Sequence, residues 1–518
     1  MLQEACGWRS CQKQPPARLA RLSNGPIQSP GYVVKPKYLL TLSLFALAAS
    51  TAYCSDPEPV TATQLAAWLT GGVSNASLTR VAEQHSLANL PTQHELHQLE
   101  SAGAGKGLLQ VLSSGNAQSA YIAAPIPPAL LQAATEARAG QYHDAEIHLR
   151  EVLLSDPKNS AFHFALGIML RHQEQWDDSL DELSEATRLM PELAENHSAL
   201  AYLFYRIDDG PNAIAEARTA LSIDPQNADA YQYLGLALYS NYQYVPAIHA
   251  YEEALARDPG NADTYYDRGI AEHAAGNLPR AIADYQKAIQ IRPAFWEAHS
   301  NLGLTLHEQG SLDQAVIEYR EARRIAPEEP SIRNNLGNTY CDQGNFDAAI
   351  DELRELYRQH PEWPQGHACL ASAYMSKQDY DAAVDELRIA LRQNPTGSAE
   401  HRILGQVLLL DDKPEEALHE LQLAVSLNPD SDLAHRLLGT VLLQQQNLQA
   451  AEKEFREAVR VNASADNHYS LAACLISEDR YEEALSELET ATRLDPQRTL
   501  YRARREELLK LLKETTSR

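Results

Sequence analysis

NLGLTLHEQGSLDQAVIEYREARRIAP occupies residues 301–327, and NLGNTYCDQGNFDAAIDELRELYRQHP occupies residues 335–361, thirty-four positions further on. The period runs far beyond these two copies. Prolines stand at 157, 191, 225, 259, 293, 327, 361, 395 and 429, Ala463 holds the next place, and Pro496 comes one residue early. Ten residues after each regular proline is a small residue: Gly167, Ala201, Gly235, Gly269, Gly303, Gly337, Ala371, Gly405 and Gly439, with Ala472 continuing the series. Twelve residues beyond those come Ala213, Ala247, Ala281, Ala315, Ala349, Ala383, Ala417, Ala451 and Ala484, with Ser179 the one substitution. A fixed period of this length marks a stacked array of one supersecondary unit.

Each unit holds two apolar stretches of helical period, separated by a turn in which Gly276, Gly310 or Gly344 can take positive φ at a helix C-terminus. A glycine inside a helix costs about 1 kcal/mol relative to alanine, so its return needs a packing reason. The small residue and the later Ala let two helices approach closely. Tyr251, Tyr285, Tyr319 and Phe455 are expected to fill the wider gap one turn after that Ala. The proline ends the second helix, because the residue before it is pushed out of the α region. One helical hairpin cannot bury its apolar face alone, so neighbours must stack.

This pattern resembles the tetratricopeptide repeat, whose signature is carried here by Leu234-Gly235, Ala247, Tyr251, Ala254 and Pro259. Eleven units start at 126, 160, 194, 228, 262, 296, 330, 364, 398, 432 and 465, the first of them divergent, and cover roughly three quarters of the chain. Glu272, where an aromatic or Leu is usual, and Gly210-Pro211, expected to alter the turn of the third unit, depart from the pattern. The resemblance implies an all-α fold, a right-handed superhelical solenoid of helical hairpins over 126–498, closed by a polar capping helix within 499–518. Ahead of it a small helical module spans 60–114, with a linker at 115–125. Gly71-Gly72 ends its first helix, Ser74 caps the next, and Thr92 with Glu95 forms a capping box.

The chain has 518 residues, a net charge of -26 and 44% hydrophobic residues. Without a basic run to concentrate positive charge, this balance excludes nucleic acid as a partner and fits a solvated surface on an extended molecule. Lys35 and Lys37 precede the apolar run 38–49 (YLLTLSLFALAA), and Ala52 ends a small-residue site, so 35–52 reads as a secretory signal. Residues 1–34 read as a misassigned or disordered leader, with the true start at Val33 or Val34. The expected location is secreted or periplasmic. Membrane anchoring through an uncleaved signal or a lipid on Cys54 is the alternative, although Tyr53 sits where a lipoprotein box takes a small residue. Cys341, Cys369 and Cys474 are too scattered for a disulfide framework or a zinc site and are expected to be buried small hydrophobes.

Signs of chemistry are few. GAGKG at 103–107 has Gly107 where a phosphate-binding loop needs Ser or Thr, and no strand precedes it. HELH at 94–97 has Gln98, not His, four residues after His94. Neither a cofactor nor a metal is expected, and an enzymatic role is disfavoured because helical hairpins offer only short turns. The expected function is a non-enzymatic scaffold binding extended protein or peptide segments on the inner surface formed by the first helix of each hairpin. The alternative is a regulatory or substrate-recruiting subunit of an envelope enzyme such as a glycosyltransferase.

On that surface Asn301 and Asn335 hold equivalent places, and Asp267 the place before them, so the three should lie in line about 8–10 Å apart. Asn carries a donor and an acceptor, and a row of them can grip a peptide backbone. These units look similar to the repeats of O-linked N-acetylglucosamine transferase, whose inner face carries such a ladder, here without a catalytic region after the array. The competing reading is that the amides satisfy neighbouring backbone. Asn334 and Asn338 enrich the same place, Arg402 and Arg436 suit a partner carboxylate, and Tyr266 is an aromatic anchor, or else part of the packing.

Overall fold

The structure is a computed structural model and describes residues 59–114 and 125–516. The expected leader, the signal region, Cys6, Cys11, Cys54 and residues 115–124 of the expected linker lie outside the described residues. Within them are 27 helices and no strand, with a single isolated bridge between Val60 and Leu87. The chain divides into two compact units inside the helix Trp296–Glu308, one ending at Thr305 and the other beginning at Leu306.

The first unit opens with α1 (Ala62–Thr70), α2 (Asn75–His85), α3 (Gln93–Ala102) and α4 (Lys106–Ser114). Their ends follow from local chemistry. Thr61 and Gln64 close a capping box on α1, Ser74 accepts the Ser77 amide on α2, and Thr92 and Glu95 close the box on α3. GAGKG is the turn between α3 and α4: Gly103 is left-handed at φ 114°, and Asn75 holds the loop by accepting from the Gly105 amide at 2.6 Å.

Five hairpins follow: Pro128–Arg138 with Tyr142–Ser155, Ser160–His172 with Trp176–Leu189, Ala194–Arg206 with Gly210–Ile223, Ala228–Ser240 with Tyr244–Arg257, and Ala262–Ala274 with Leu278–Ile291. We number these 1 to 5. The sixth begins with Trp296–Glu308 and continues in the second unit as Leu312–Ile325. Hairpins 7 to 11 are Pro330–Asp342 with Phe346–Gln359, His367–Ser376 with Tyr380–Gln393, Ser398–Leu410 with Pro414–Leu427, Asp432–Gln444 with Leu448–Val461, and Ala465–Ser477 with Tyr481–Leu494. Thr499–Thr516 packs on the last of these, burying Tyr501, whose hydroxyl donates to Asp466 at 2.5 Å.

The turn inside each hairpin uses one left-handed residue. Gly276, Gly310 and Gly344 take it at φ 83°, 85° and 72°, as glycine should. The same conformation recurs at non-glycine positions one period apart, among them Glu174, Asp208, Tyr242, Gln378, Asp412 and Gln446. Gly210-Pro211 therefore does not alter the third turn as expected: Asp208 keeps φ 64°, and Pro211 sits in the first helical turn, where no amide is needed. Glu272 is buried but accepts from the Asn277 amide at 2.7 Å and pairs with Arg280.

The recurrent glycine has a more direct cause than a general close approach. A Cβ at Gly235 would lie 2.5 Å from the Tyr251 ring, one at Gly269 2.7 Å from Tyr285, and one at Gly439 2.8 Å from Phe455. The large ring does not fill a separate gap one turn away, as expected from the sequence. It lies on the bare glycine itself, sixteen residues back.

A second correction concerns the cysteines. Cys341 and Cys369 form a disulfide, with Cα atoms 6.2 Å apart, while Cys474 is free and buried. Cys341 lies in the last turn of one first helix and Cys369 in the first turn of the next. First helices of consecutive hairpins lie side by side, so residues 28 apart meet.

Candidate binding face

In hairpins 2 to 5 and 7 to 11 each first helix touches its own second helix, the second helix of the preceding hairpin and a neighbouring first helix. Within each unit the first helices therefore form one inner face. In the first unit part of that face is already covered. The module lies on it: α1 packs against the first helices of hairpins 1 and 2, and α3 against the first helix of hairpin 1. Trp68 is completely buried there, and Gly71 presses its bare Cα on Phe164, which a Cβ would meet at 2.6 Å.

Arg80 of α2 reaches the end of hairpin 3, where it pairs with Asp224 at 2.8 Å, and it donates to Ser77 of its own helix at 3.0 Å. Beside this pair Glu195 is buried, and burial, reinforced by Asp224, pushes its carboxyl up to about 7. A carboxyl raised in the fold adds stability below the ordinary carboxyl range, and that contribution is lost as pH rises through about 7. Module docking is thus expected to weaken between pH 5 and pH 8.5, and Glu195→Gln is expected to abolish the step. Hydrogen exchange of Ala62–Thr70 across that range checks it.

Beyond the module the inner face carries an aromatic and arginine cluster that sequence reasoning missed. Arg171 stacks over the Tyr202 ring at 4.7 Å, and Tyr202 meets Tyr233 at 5.1 Å. Arg206 covers Trp176 at 4.7 Å and donates to the Tyr202 hydroxyl at 3.0 Å. Asp229 stands in the first turn of the first helix of hairpin 4, and the protein around it raises its carboxyl against the pull of Arg171. The signal was present in the period: apart from Trp176, which opens the second helix of hairpin 2, these residues fall on the first helices of hairpins 2 to 4.

The expected site residues are distributed as follows. Asn301 is 1% exposed and donates to the Tyr266 hydroxyl at 3.0 Å, so its amide is engaged inside the fold. The Tyr266 ring packs on Phe295 at 4.8 Å, and Asp267 accepts from Gln232 at 3.0 Å. In the second unit Asn334 is buried and its Nδ2 donates to the side-chain Oδ1 of Asn335 at 3.4 Å, while its own Oδ1 has no partner among the described residues. Asn335, Asn338, Arg402 and Arg436 are half-buried. The structure thus joins Tyr266 to Asn301 and Asn334 to Asn335. Among the described residues no group of three His, Cys, Asp or Glu side chains converges as a metal site, and no helix is long and apolar enough to cross a membrane.

Three family models match the array. The model described as "TPR repeat" matches 271–310 and 303–340; one described as "Tetratricopeptide repeat" matches 130–194, 334–398, 369–432, 404–467 and 436–499; a second so described matches 250–283. Together they span more than half of the chain. No curated protein matches. Among solved structures the chain is similar to yeast Tom70, at 14% identity over 74% of this chain and 94% of that one, with a TM-score of 0.35. A tetratricopeptide repeat protein from Parabacteroides merdae matches at 17% identity, over 48% and 98%, with a TM-score of 0.38. Pseudomonas aeruginosa pilF matches at 18%, over 43% and 96%, with a TM-score of 0.37.

Proposed function

Because this chain belongs to the tetratricopeptide repeat family, whose members are generally protein-interaction scaffolds, we propose that it holds extended peptide segments of partner proteins on its inner face. One observation carries this reading. The inner face of hairpins 1 and 2 already receives a segment of polypeptide, the module, and the same kind of surface continues past Tyr202 and Tyr233 with no further segment over it among the described residues. In the second unit the half-buried Arg402 and Arg436 offer charge-assisted bonds to a carboxylate, and Asn335 and Asn338 offer paired donors and acceptors to a backbone.

The cell envelope or the exterior is the proposed location, with an anchor in the signal region or on Cys54 as the variant that fractionation tests. The signal-like residues 35–52 support it, and so does the Cys341–Cys369 disulfide, since such bonds persist in oxidising compartments.

Capture of partners from the envelope fraction by the full chain tests the reading. Arg402→Glu with Arg436→Glu is expected to cut recovery of an inner-face partner roughly 10- to 100-fold, as lost charge-assisted bonds would. Equal recovery would exclude these arginines from the site.

A further inference from the structure

One histidine recurs at the fourth place of the repeat: His163, His197, His299, His367, His401, His435 and His468, and the Nε2 of His299 lies 3.3 Å from the Pro293 carbonyl. For His163, His197, His367, His401, His435 and His468, Nδ1 meets the carboxylate of the glutamate nineteen residues on, in the second helix of the same hairpin. The contacts are Glu182 at 2.6 Å, Glu216 at 2.6 Å, Glu386 at 2.7 Å, Glu420 at 2.6 Å, Glu454 at 2.7 Å and Glu487 at 2.5 Å. In four of them the other nitrogen meets a second oxygen. Nε2 lies 3.0 Å from the Pro157 carbonyl for His163, 2.9 Å from Pro191 for His197, 3.2 Å from Pro395 for His401, and 3.0 Å from Pro429 for His435. Those prolines are the ones that punctuate the repeat. One ring therefore ties the two helices of its hairpin to each other and to the turn from the hairpin before.

Carboxylate and carbonyl oxygens only accept. A neutral imidazole has one N–H, so between two acceptors it leaves a lone pair facing an oxygen, and only the imidazolium satisfies both. We propose that these four histidines are a pH-sensitive device: protonated, they clamp successive hairpins together, and on losing the proton each gives up one of its two ties and loosens the stack.

The chain supplies its own comparisons. In hairpin 7 the pair is Arg333 and Glu352 at 3.1 Å, a clamp that does not titrate near neutrality. In hairpin 4 both members change together, to Tyr231 and Ala250. His367 has only one acceptor: its Nε2 has no partner among the described residues, and its ring stacks on Tyr357 at 4.1 Å.

The surroundings favour the proton. His163 faces Glu182 and Glu185, the latter bonded to Arg188. His197 faces Glu216. His435 faces Glu454 and Glu457, the latter bonded to Arg460. His401 shares a cleft with Glu416 and Glu420 from its own hairpin and with Arg388 and Arg392 from the preceding one, Arg388 being paired with Glu416. Burial alone would lower His163 and His197, yet their bonds to glutamate and to the proline carbonyl hold both above the ordinary value, and His435 is raised chiefly by Glu454. Stability from a raised imidazole is complete below about 6.5 and is lost as pH rises through the folded value.

Histidine 13Cε1 resonances of the full chain, assigned from single His→Gln variants, give the titration midpoints. We expect midpoints above about 6.5 for His163, His197 and His435. Thermal unfolding should fall by about 4 °C or more between pH 6.5 and pH 9, and the variant H163R/H197R/H401R/H435R should show at most half that fall. Midpoints at or below the ordinary value, or an undiminished fall in a folded arginine variant, would overturn the proposal. If that variant does not fold, the midpoints of the natural chain decide.

Discussion

Trp68→Ala is expected to destabilise the first unit by about 3–5 kcal/mol and to free the module from the inner face. Truncating a fully buried aromatic loses its transfer energy and leaves a cavity. Trp68 has no exposed surface, and Leu65, Ala66 and Ala67 of the same helix are equally enclosed against hairpins 1 and 2. Freeing the module would uncover Leu130, Phe164 and Ala165, an apolar strip that should bind a hydrophobic dye. Hydrogen exchange provides the check: protection should fall across Ala62–Thr70 while helices of hairpins 9 and 10 keep theirs. An even loss over both units would contradict this assignment of the module.

The second large effect is expected at the disulfide. It closes a loop of 28 residues, for which chain entropy predicts about 3–4 kcal/mol of stabilisation. The loop runs through residues 362–366, where the chain departs from the repeat: the first helix of hairpin 8 starts only at His367, and Gly366 turns at φ 95° beneath Tyr357. Urea unfolding of the second unit should shift to lower concentration in reductant. The C341S/C369S variant should begin at that lower midpoint and ignore reductant. A natural chain equally indifferent to reductant would show that the bond contributes nothing.

How much of this could be read beforehand differs by feature. Hairpins, turn glycines and punctuating prolines were legible because each is a local requirement restated every 34 residues. The module's caps were legible for the same reason, since Ser74 and Thr92 act within one helical turn. Its docking was not, because nothing local in Trp68 or Gly71 says that Phe164 is the surface they meet. The disulfide was hidden by reading the cysteines along the chain. On the lattice, Cys341 and Cys369 sit on facing sides of adjacent first helices, and the separation of 28 is one period less six. Periodicity pointed correctly to Asn301 as a repeated place but not to its burial or to its bond with the Tyr266 hydroxyl of the preceding hairpin. The histidine and glutamate places were equally periodic and were passed over, because neither residue looks apolar enough to be structural.

The central claim, that partners lie along the first helices, is tested most directly by site-specific photo-crosslinking. Benzoylphenylalanine would be placed at Tyr233 and Arg436 on the inner face, and at Leu154 and Ile317 on second helices, where both side chains are exposed. With the envelope fraction as the source of partners, the account predicts adducts from the inner positions and none from the outer ones. Adducts confined to Leu154 or Ile317 would contradict it and move the binding surface to the opposite side of the hairpins.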